Sequence, residues 1–478
     1  MKAAFGKIVL TPKDVVGRML AGYTPVQKCT GIYDDIHARA VLIEEKVLGN
    51  IKKRILLISM DFVQLPLIFT EYIKEQIQDA YKIHPNQILI HATHTHKSLD
   101  MSGMFLRPGG YGSVIWAIMF GAYRGDDRYK VWIARQIVKM VGAMIPKLRD
   151  AEMGWTKVTI EEDILLNRRN PLARSKSKMG VIAFREKQSK RIFGLIANYG
   201  MHPTTLSFPE TKLSADYPGY LVSKISELSN NEVDTVFFGS AAGDLNPITT
   251  CGTDFEALEK DKTPIYKQLG GIKETTEIGV FLGERCWNIA QNIPEEAYYS
   301  RVEFKSYMKI MWVPMEDFTN YRNLNKVLNR FIHIIKRHFL FRVALILADV
   351  NEPNFPGFAA KHRGREINTY TQIQFIEFTA SNPNTPEEAK KFSILGVPGE
   401  LFEEFAEEFY QKSPQGKKNT FIFQTANDWI AYLFPLKDYM QGGYEPIASY
   451  APICGEWVRI NVLRLFEEIK YGITGGHY

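Results

Sequence analysis

Histidine is scarce in this chain, ten in 478 residues, yet three fall within six positions in His91-Ala-Thr-His94-Thr-His96. The apolar run just before them has the character of a buried strand. If the segment stays extended, His94 and His96 point the same way, because side chains repeat every second residue. Two imidazoles on one side of a strand end can bind a metal. Alternatively, one binds while the other carries protons. A pair of hydrogen-bonded loop histidines would show the same spacing. Asn198-Tyr-Gly-Met-His202-Pro203 again places a histidine at a strand end, and Pro203 biases His202 toward extended backbone. Ser240-Ala-Ala-Gly243-Asp244-Leu-Asn246-Pro247 combines small residues with two polar ones. It lets backbone approach a ligand, though it is also ordinary turn chemistry. In Gly396-Val-Pro398-Gly399-Glu400 a carboxylate follows a tight turn, and a helix N-terminal glutamate would look the same. Asn427-Asp-Trp-Ile-Ala-Tyr432 and Gln441-Gly-Gly-Tyr444-Glu445 add two tyrosines near glycines.

Strands and helices alternate around these groups. Ile55–Met60 and Gln87–Ile90 are short apolar runs, and Leu67–Tyr81 between them has helical spacing. That strand–helix–strand pattern belongs to α/β units, whose sites gather where strands end. Asp127–Met144 and Asp216–Leu228 read as amphipathic helices. Val181–Phe184 and Phe193–Tyr199 read as a hairpin leading into His202, and Thr235–Phe238 as a strand entering the Gly239–Pro247 turn. The stretch from about 308 to 365 differs. Leu324, Val327, Leu328, Phe331, Ile335 and Phe339 share one helical side, with Lys326, Arg330, His333 and Arg337 opposite. Such a basic amphipathic helix either packs with a solvated face or lies on an anionic membrane surface.

Composition narrows the class. The chain is 45% hydrophobic with a formal net charge of +6, as in an ordinary globular protein able to bury a large core. Lys+Arg, 59, nearly balances Asp+Glu, 53, so charge makes no case for nucleic acid. Cys29, Cys251, Cys286 and Cys454 form no close pair and are expected to be free buried thiols. The first residues lack an apolar core, and no run approaches the ~18 apolar residues of a membrane span. A cytoplasmic protein, at most peripheral to a membrane, is the expectation.

Taken in order, the motifs resemble those of the neutral, non-lysosomal ceramidase family. That family carries His-Thr-His-Ser-Gly, then His-Pro-Thr, Gly-Asp-Val-Ser-Pro, Pro-Gly-Glu, Asn-x-Tyr-x-x-Tyr and, twelve residues on, Tyr-Glu. Tyr432 and Tyr444 keep that separation. Ile8-Val-Leu-Thr-Pro12 followed by Ala21-Gly22-Tyr23 is similar to the family's entry strand and glycine loop. The resemblance runs from residue 5 to about 455. It implies a Zn²⁺ held by His94, His202, Glu400 and Tyr432, with His96, Tyr444 and Arg168 assisting. Two imidazoles, a carboxylate and a phenolate leave room for water on the ion. The implied activity is amide hydrolysis of an N-acyl compound such as a ceramide-like lipid.

Three departures bear on the substrate. Asn246 stands where the family has serine, Lys97 follows His96, and Gly-Gly-Tyr comes only at 109–111. The family's C-terminal β-domain has no expected counterpart. The reading is therefore an α/β fold with mixed β-sheet layers flanked by helices. It forms a single large catalytic domain over 1–478, with the metal site at strand ends and an insertion-like basic segment at about 308–365. Two alternatives stay open: a zinc esterase or phosphoesterase on the same scaffold, or a non-catalytic membrane-surface or carbohydrate-binding protein.

Overall fold

The structure is a computed structural model that describes residues 1–23, 27–46, 52–101, 127–170, 175–249, 252–253, 266–267, 270–313, 370–383, 385–442, 444–447, 449 and 452–473. Strands β1 (Lys2–Val9), β2 (His37–Lys46) and β3 (Lys52–Met60) form an antiparallel meander. Helix α1 (Leu67–Tyr81) then crosses over to β4 (Ile88–Ala92), which pairs parallel to β3. Phe69, Ile73 and Ile77 recur at helical spacing and are buried. After helix α2 (Asp127–Met144) come β5 (Arg149–Thr159), β6 (Lys178–Glu186) and β7 (Ile192–Tyr199). Helix α3 (Asp216–Leu228), β8 (Asp234–Gly239) and α4 (Ile272–Gln291) follow. The strands make one mixed sheet in the order β8-β7-β6-β5-β1-β2-β3-β4, with Tyr298–Tyr299 added beside β5.

A second, four-stranded sheet is built from β9 (Arg301–Trp312), β10 (Tyr370–Asn382), β11 (Thr385–Gly396) and β12 (Thr420–Phe423). It packs face to face on the large sheet, and helices cover both outer faces. The alternation of buried residues shows why. On β2, Ala38, Ala40 and Leu42 join the cluster under α1 and α2, while Val41 and Ile43 point into the cluster between the sheets. There they meet Phe304, Ile376, Phe378, Ile394 and Phe423. Helices α3 and α4 cover the other half of the large sheet. The outer face of the second sheet is covered by α5 (Glu403–Lys412) and α6 (Cys454–Lys470). Strands buried on both faces read as near-continuous apolar runs. The expected mixed-sheet α/β domain is therefore what forms.

Buried polar groups stitch the layers together. Asn198 on β7 donates to the carbonyls of Phe238 (2.9 Å) and Ile422 (3.0 Å), joining the two sheets. Asp428 accepts from the Leu67 amide at 3.0 Å, an orphan donor at the start of α1, because Pro66 offers no side-chain cap. Burial, only partly offset by the hydroxyl of Thr371 and the amides of Trp429 and Leu67, pushes the Asp428 carboxyl up to about 6. A raised carboxyl pKa means the folded state holds the proton more tightly than the unfolded chain. The stability it contributes is complete below about pH 4 and is lost as pH rises through about 6, on the order of 3 kcal/mol. Urea midpoints of wild type and Asp428→Asn between pH 4 and 7 check this: the wild-type advantage is expected to shrink with rising pH.

One expectation needs correction, and two fall elsewhere. Residues 308–312 are not part of a helical insertion. They complete β9, whose whole length pairs with β10, from Arg301↔Ser381 to Trp312↔Tyr370. Alternating burial along β9 holds it in the sheet, and a window tuned to helical period misses that. The basic helix near 324–341 and Gly109-Gly110-Tyr111 fall outside the described residues. Cys29, Cys286 and Cys454 are buried thiols outside any disulfide, and Cys251 falls outside the described residues. No helix among the described residues is long and apolar enough to cross a membrane.

Candidate metal centre

Three parallel strand pairs, β3/β4, β7/β8 and β11/β12, send their C-terminal ends to one region of the molecule. Past β4, the amides of Thr93 and His94 are taken by the carbonyls of Met60 (2.9 Å), the last residue of β3, and of Phe62 (2.8 Å), just beyond it. The backbone bends there, and His94 adopts a left-handed φ of 70°. His94 and His96 are thus not neighbours on an extended strand, as the spacing alone implied. They converge from a bent chain. His202 follows β7, its amide bonded to the Leu245 carbonyl at 2.8 Å. Glu400 follows the Pro398-Gly399 turn after β11. It is not in a helix: Glu400–Leu401 is a short strand pairing parallel with Tyr432–Leu433, with Glu400 opposite Tyr432.

The Nε2 atoms of His94, His96 and His202 lie 3.0 to 3.3 Å from one another. Glu400 Oε2 is 3.1 Å from His94 Nε2 and 3.8 Å from His202 Nε2. All four side chains are buried. His94 Nδ1 donates to the Val63 carbonyl at 2.6 Å, and His202 Nδ1 to the Ala242 carbonyl at 3.0 Å. With their protons on Nδ1, these two rings turn Nε2 lone pairs toward each other. Burial, and then the charge of the neighbouring histidines, pushes His96 and His202 well below the ordinary histidine range, so both are neutral. Burial alone would raise Glu400. His94, His202 and Arg168 reverse that and bring it down to about 2. Among the described residues its Oε2 has no hydrogen-bond partner, while Oε1 accepts from Trp429 Nε1 at 2.9 Å.

Converging lone pairs and a carboxylate oxygen repel one another unless a cation sits among them. The donors are imidazole nitrogens and a carboxylate oxygen, and about 3.3 Å between ligand atoms suits metal–ligand bonds of about 2.0–2.1 Å. These residues therefore fit a metal ion, and the three histidines form a group able to hold one.

Around this core the structure places the other sequence candidates. Arg168 follows the short strand Leu165–Asn167, which pairs with Leu245–Pro247. Its Nη2 donates to the Gly243 carbonyl at 2.5 Å, its Nε meets Glu445 at 2.8 Å, and its guanidinium lies 5.3 Å from the Tyr432 ring centre. Burial would lower the Arg168 pKa, but Tyr432, Glu445 and Glu400 hold it above its usual range. Asn246 is buried on the strand beside His202's backbone partner, and its Oδ1 has no hydrogen-bond partner among the described residues. Tyr444 opens the short helix Tyr444–Ile447, and its side chain falls outside the described atoms.

Further residues surround the site, and of these Glu445 and Gln424 were not singled out from sequence. Glu445 bridges Arg168 and Arg169, and Arg169 also donates to the carbonyls of Asp438 and Gly442. Gln424 Oε1 accepts from the amides of Ala242 and Leu401. Tyr23 sets its ring edge against His96, with centroids 4.9 Å apart, and Lys97 lies over the same ring at 4.4 Å. The Tyr-Glu pair was a usable signal for Glu445. Backbone carbonyls such as Val63 and Ala242 leave no signal in a sequence.

The sequence matches no protein-family model and no curated protein. Solved structures do match. One is the neutral ceramidase from Pseudomonas aeruginosa, with a TM-score of 0.67 and 16% identity, covering 98% of this chain and 74% of that one. Another is a ceramidase complexed with C2, with a TM-score of 0.69 and 14% identity, covering 98% of this chain and 75% of that one. The fold is thus that of the neutral ceramidases, in a strongly divergent sequence.

Proposed function

We propose that the protein is a zinc-dependent hydrolase of linear amides, acting on an N-acyl compound of ceramide-like lipid type. The observation that carries this reading is the convergence of three histidine Nε2 atoms and the Glu400 carboxylate in a buried site. His94, His202, Glu400 and Tyr432 would hold Zn²⁺. Tyr432 is included because its backbone lies directly beside Glu400. Bound there, the ion supplies Lewis acidity toward the amide carbonyl and lowers the pKa of a bound water to about 7. His96 is the most exposed of the three histidines, at 8%. Being neutral, it can accept a proton and return it to the leaving amine. Arg168, locked in its charged form, is suited to steady the developing oxyanion, with Tyr444 as a second donor.

A substrate panel tests the assignment. N-acyl sphingosine and simpler N-acyl amines are expected to be turned over faster than matched esters or phosphomonoesters, and only with zinc present. Preference for a phosphomonoester would replace this reading with the phosphoesterase one. His96→Gln separates the roles within the site: it should keep zinc while losing hydrolysis by about 10²–10⁴-fold. Loss of zinc in that variant would move His96 into the ligand set.

Gly22 offers a further check. Its φ of 125° is open to glycine, and an added Cβ would fall 2.7 Å from His96 Cα, Cβ and Cγ. Gly22→Ala is expected to displace His96 and reduce kcat by about 10²-fold, with zinc content unchanged. Rate and metal content measured on the same preparation decide this.

A further inference from the structure

The two oxygens of Glu400 stand in different surroundings. Oε2 faces the histidine nitrogens, 3.1 Å from His94 Nε2, while Oε1 accepts from the indole N–H of Trp429 at 2.9 Å. A short frame joins donor to acceptor. The Ile430 amide donates to the Pro398 carbonyl at 2.7 Å, and the Glu400 amide donates to the Ala431 carbonyl at 2.9 Å. The segments carrying the two side chains are therefore bonded to each other. Gly399 permits this approach, since a Cβ added there would lie 2.4 Å from the Ala431 carbonyl oxygen. The backbone of Trp429 is held as well, its amide donating to Asp428 Oδ1 at 2.7 Å. Asn427, two residues earlier, accepts from the Ile90 amide at 3.0 Å and donates to Gln374 Oε1 at 2.8 Å. Asn427 and Ala431 take left-handed φ values of 64° and 65°, conformations that persist where the surroundings fix them.

We propose that Trp429 is the positioning residue of Glu400: its indole N–H holds Oε1 away from the ion and presents Oε2 alone as the ligand atom. The inference rests on the zinc reading above. A carboxylate free on both oxygens can turn about its last torsion, which is broad. A hydrogen bond from an N–H to a charged oxygen is among the stronger ones and stops that rotation. With Oε1 engaged, Glu400 fills a single place around the ion, so the open position that catalytic zinc sites keep for water is preserved. The indole is thus to Glu400 what the Val63 and Ala242 carbonyls are to His94 and His202.

Zinc affinity of the whole protein, measured by chelator competition after removal of metal, tests this without reference to hydrolysis. Trp429→Phe is expected to weaken zinc by about 10–100-fold. The analogue 3-benzothienylalanine, placed at position 429, keeps the ring shape and replaces the N–H with sulfur. It should reproduce the loss with the packing intact. In a Glu400→Ala background either replacement should change zinc affinity by less than about twofold, because the partner through which Trp429 acts is gone. That coupling separates positioning of Glu400 from a contribution to packing. Affinity of the benzothienylalanine protein within about twofold of wild type overturns the proposal, and so does an equal loss with and without Glu400. Both of those results leave the hydrolase reading standing, whereas wild-type protein that takes up no zinc overturns the two together.

Discussion

His202→Ala is expected to abolish stoichiometric zinc binding and to lower amide hydrolysis by about 10³-fold or more, equivalent to ~4 kcal/mol at the barrier. His202 is fully buried and its ring is fixed by the Ala242 carbonyl, so the variant loses a donor whose position the fold holds. The fair control is His91, another buried histidine from the same motif. His91 accepts from the Gly239 amide at 2.9 Å and pairs with Ser59 Oγ at 2.9 Å. Burial drives its pKa down to about 3, so it serves as a neutral hydrogen-bonding strut. His91→Gln should cost stability while retaining zinc and most activity. Metal content and rate on both variants decide the matter. Zinc retained by His202→Ala, with hydrolysis near wild type, would remove the assignment.

Glu445→Ala should be the most destabilising change outside the metal ligands. Glu445 takes Arg168 on one oxygen and Arg169 on the other, and its side chain is 5% exposed. Removing one partner from a buried charge cluster leaves uncompensated charge and typically costs about 3–5 kcal/mol. The loss should also reach the chemistry. Arg169 ties down Asp438 and Gly442, so the segment leading to Tyr444 loses its anchor as Arg168 loses its counter-charge. Denaturant midpoints and kcat of Glu445→Ala and Glu445→Gln measure both effects. Gln restores shape and hydrogen bonding without charge, so it should recover part of the stability and little of the rate. A variant as stable and active as wild type would show that the bridge contributes nothing.

Much of the scaffold was legible in the sequence because local periodicity dictates it. The helices Leu67–Tyr81, Asp127–Met144 and Asp216–Leu228 form with those bounds. The hairpin before His202 also forms, its first strand longer at both ends, Lys178–Glu186, and its second starting one residue earlier, Ile192–Tyr199. The second sheet was not legible. β9 and β10 are separated by more than fifty residues, and their pairing depends on register between distant segments. Arg301–Trp312 was consequently read in part as the start of a basic insertion. At the site, the resemblance carried by the motif order implied His94, His202, Glu400 and Tyr432, while the meeting of His94, His202 and Glu400 is a property of the fold. The bend at His94 arises from carbonyls beyond β3. The clamp on Glu445 depends on two arginines nearly 280 residues earlier in the chain. Neither follows from spacing.

X-ray absorption at the zinc edge, on wild-type protein titrated with one equivalent of Zn²⁺, bears most directly on the central claim. Nitrogen and oxygen neighbours at about 2.0–2.1 Å, with the outer-shell scattering of at least two imidazoles and no sulfur, is the result this account requires. Zinc that fails to bind at one per chain, or that binds without histidine, would contradict it.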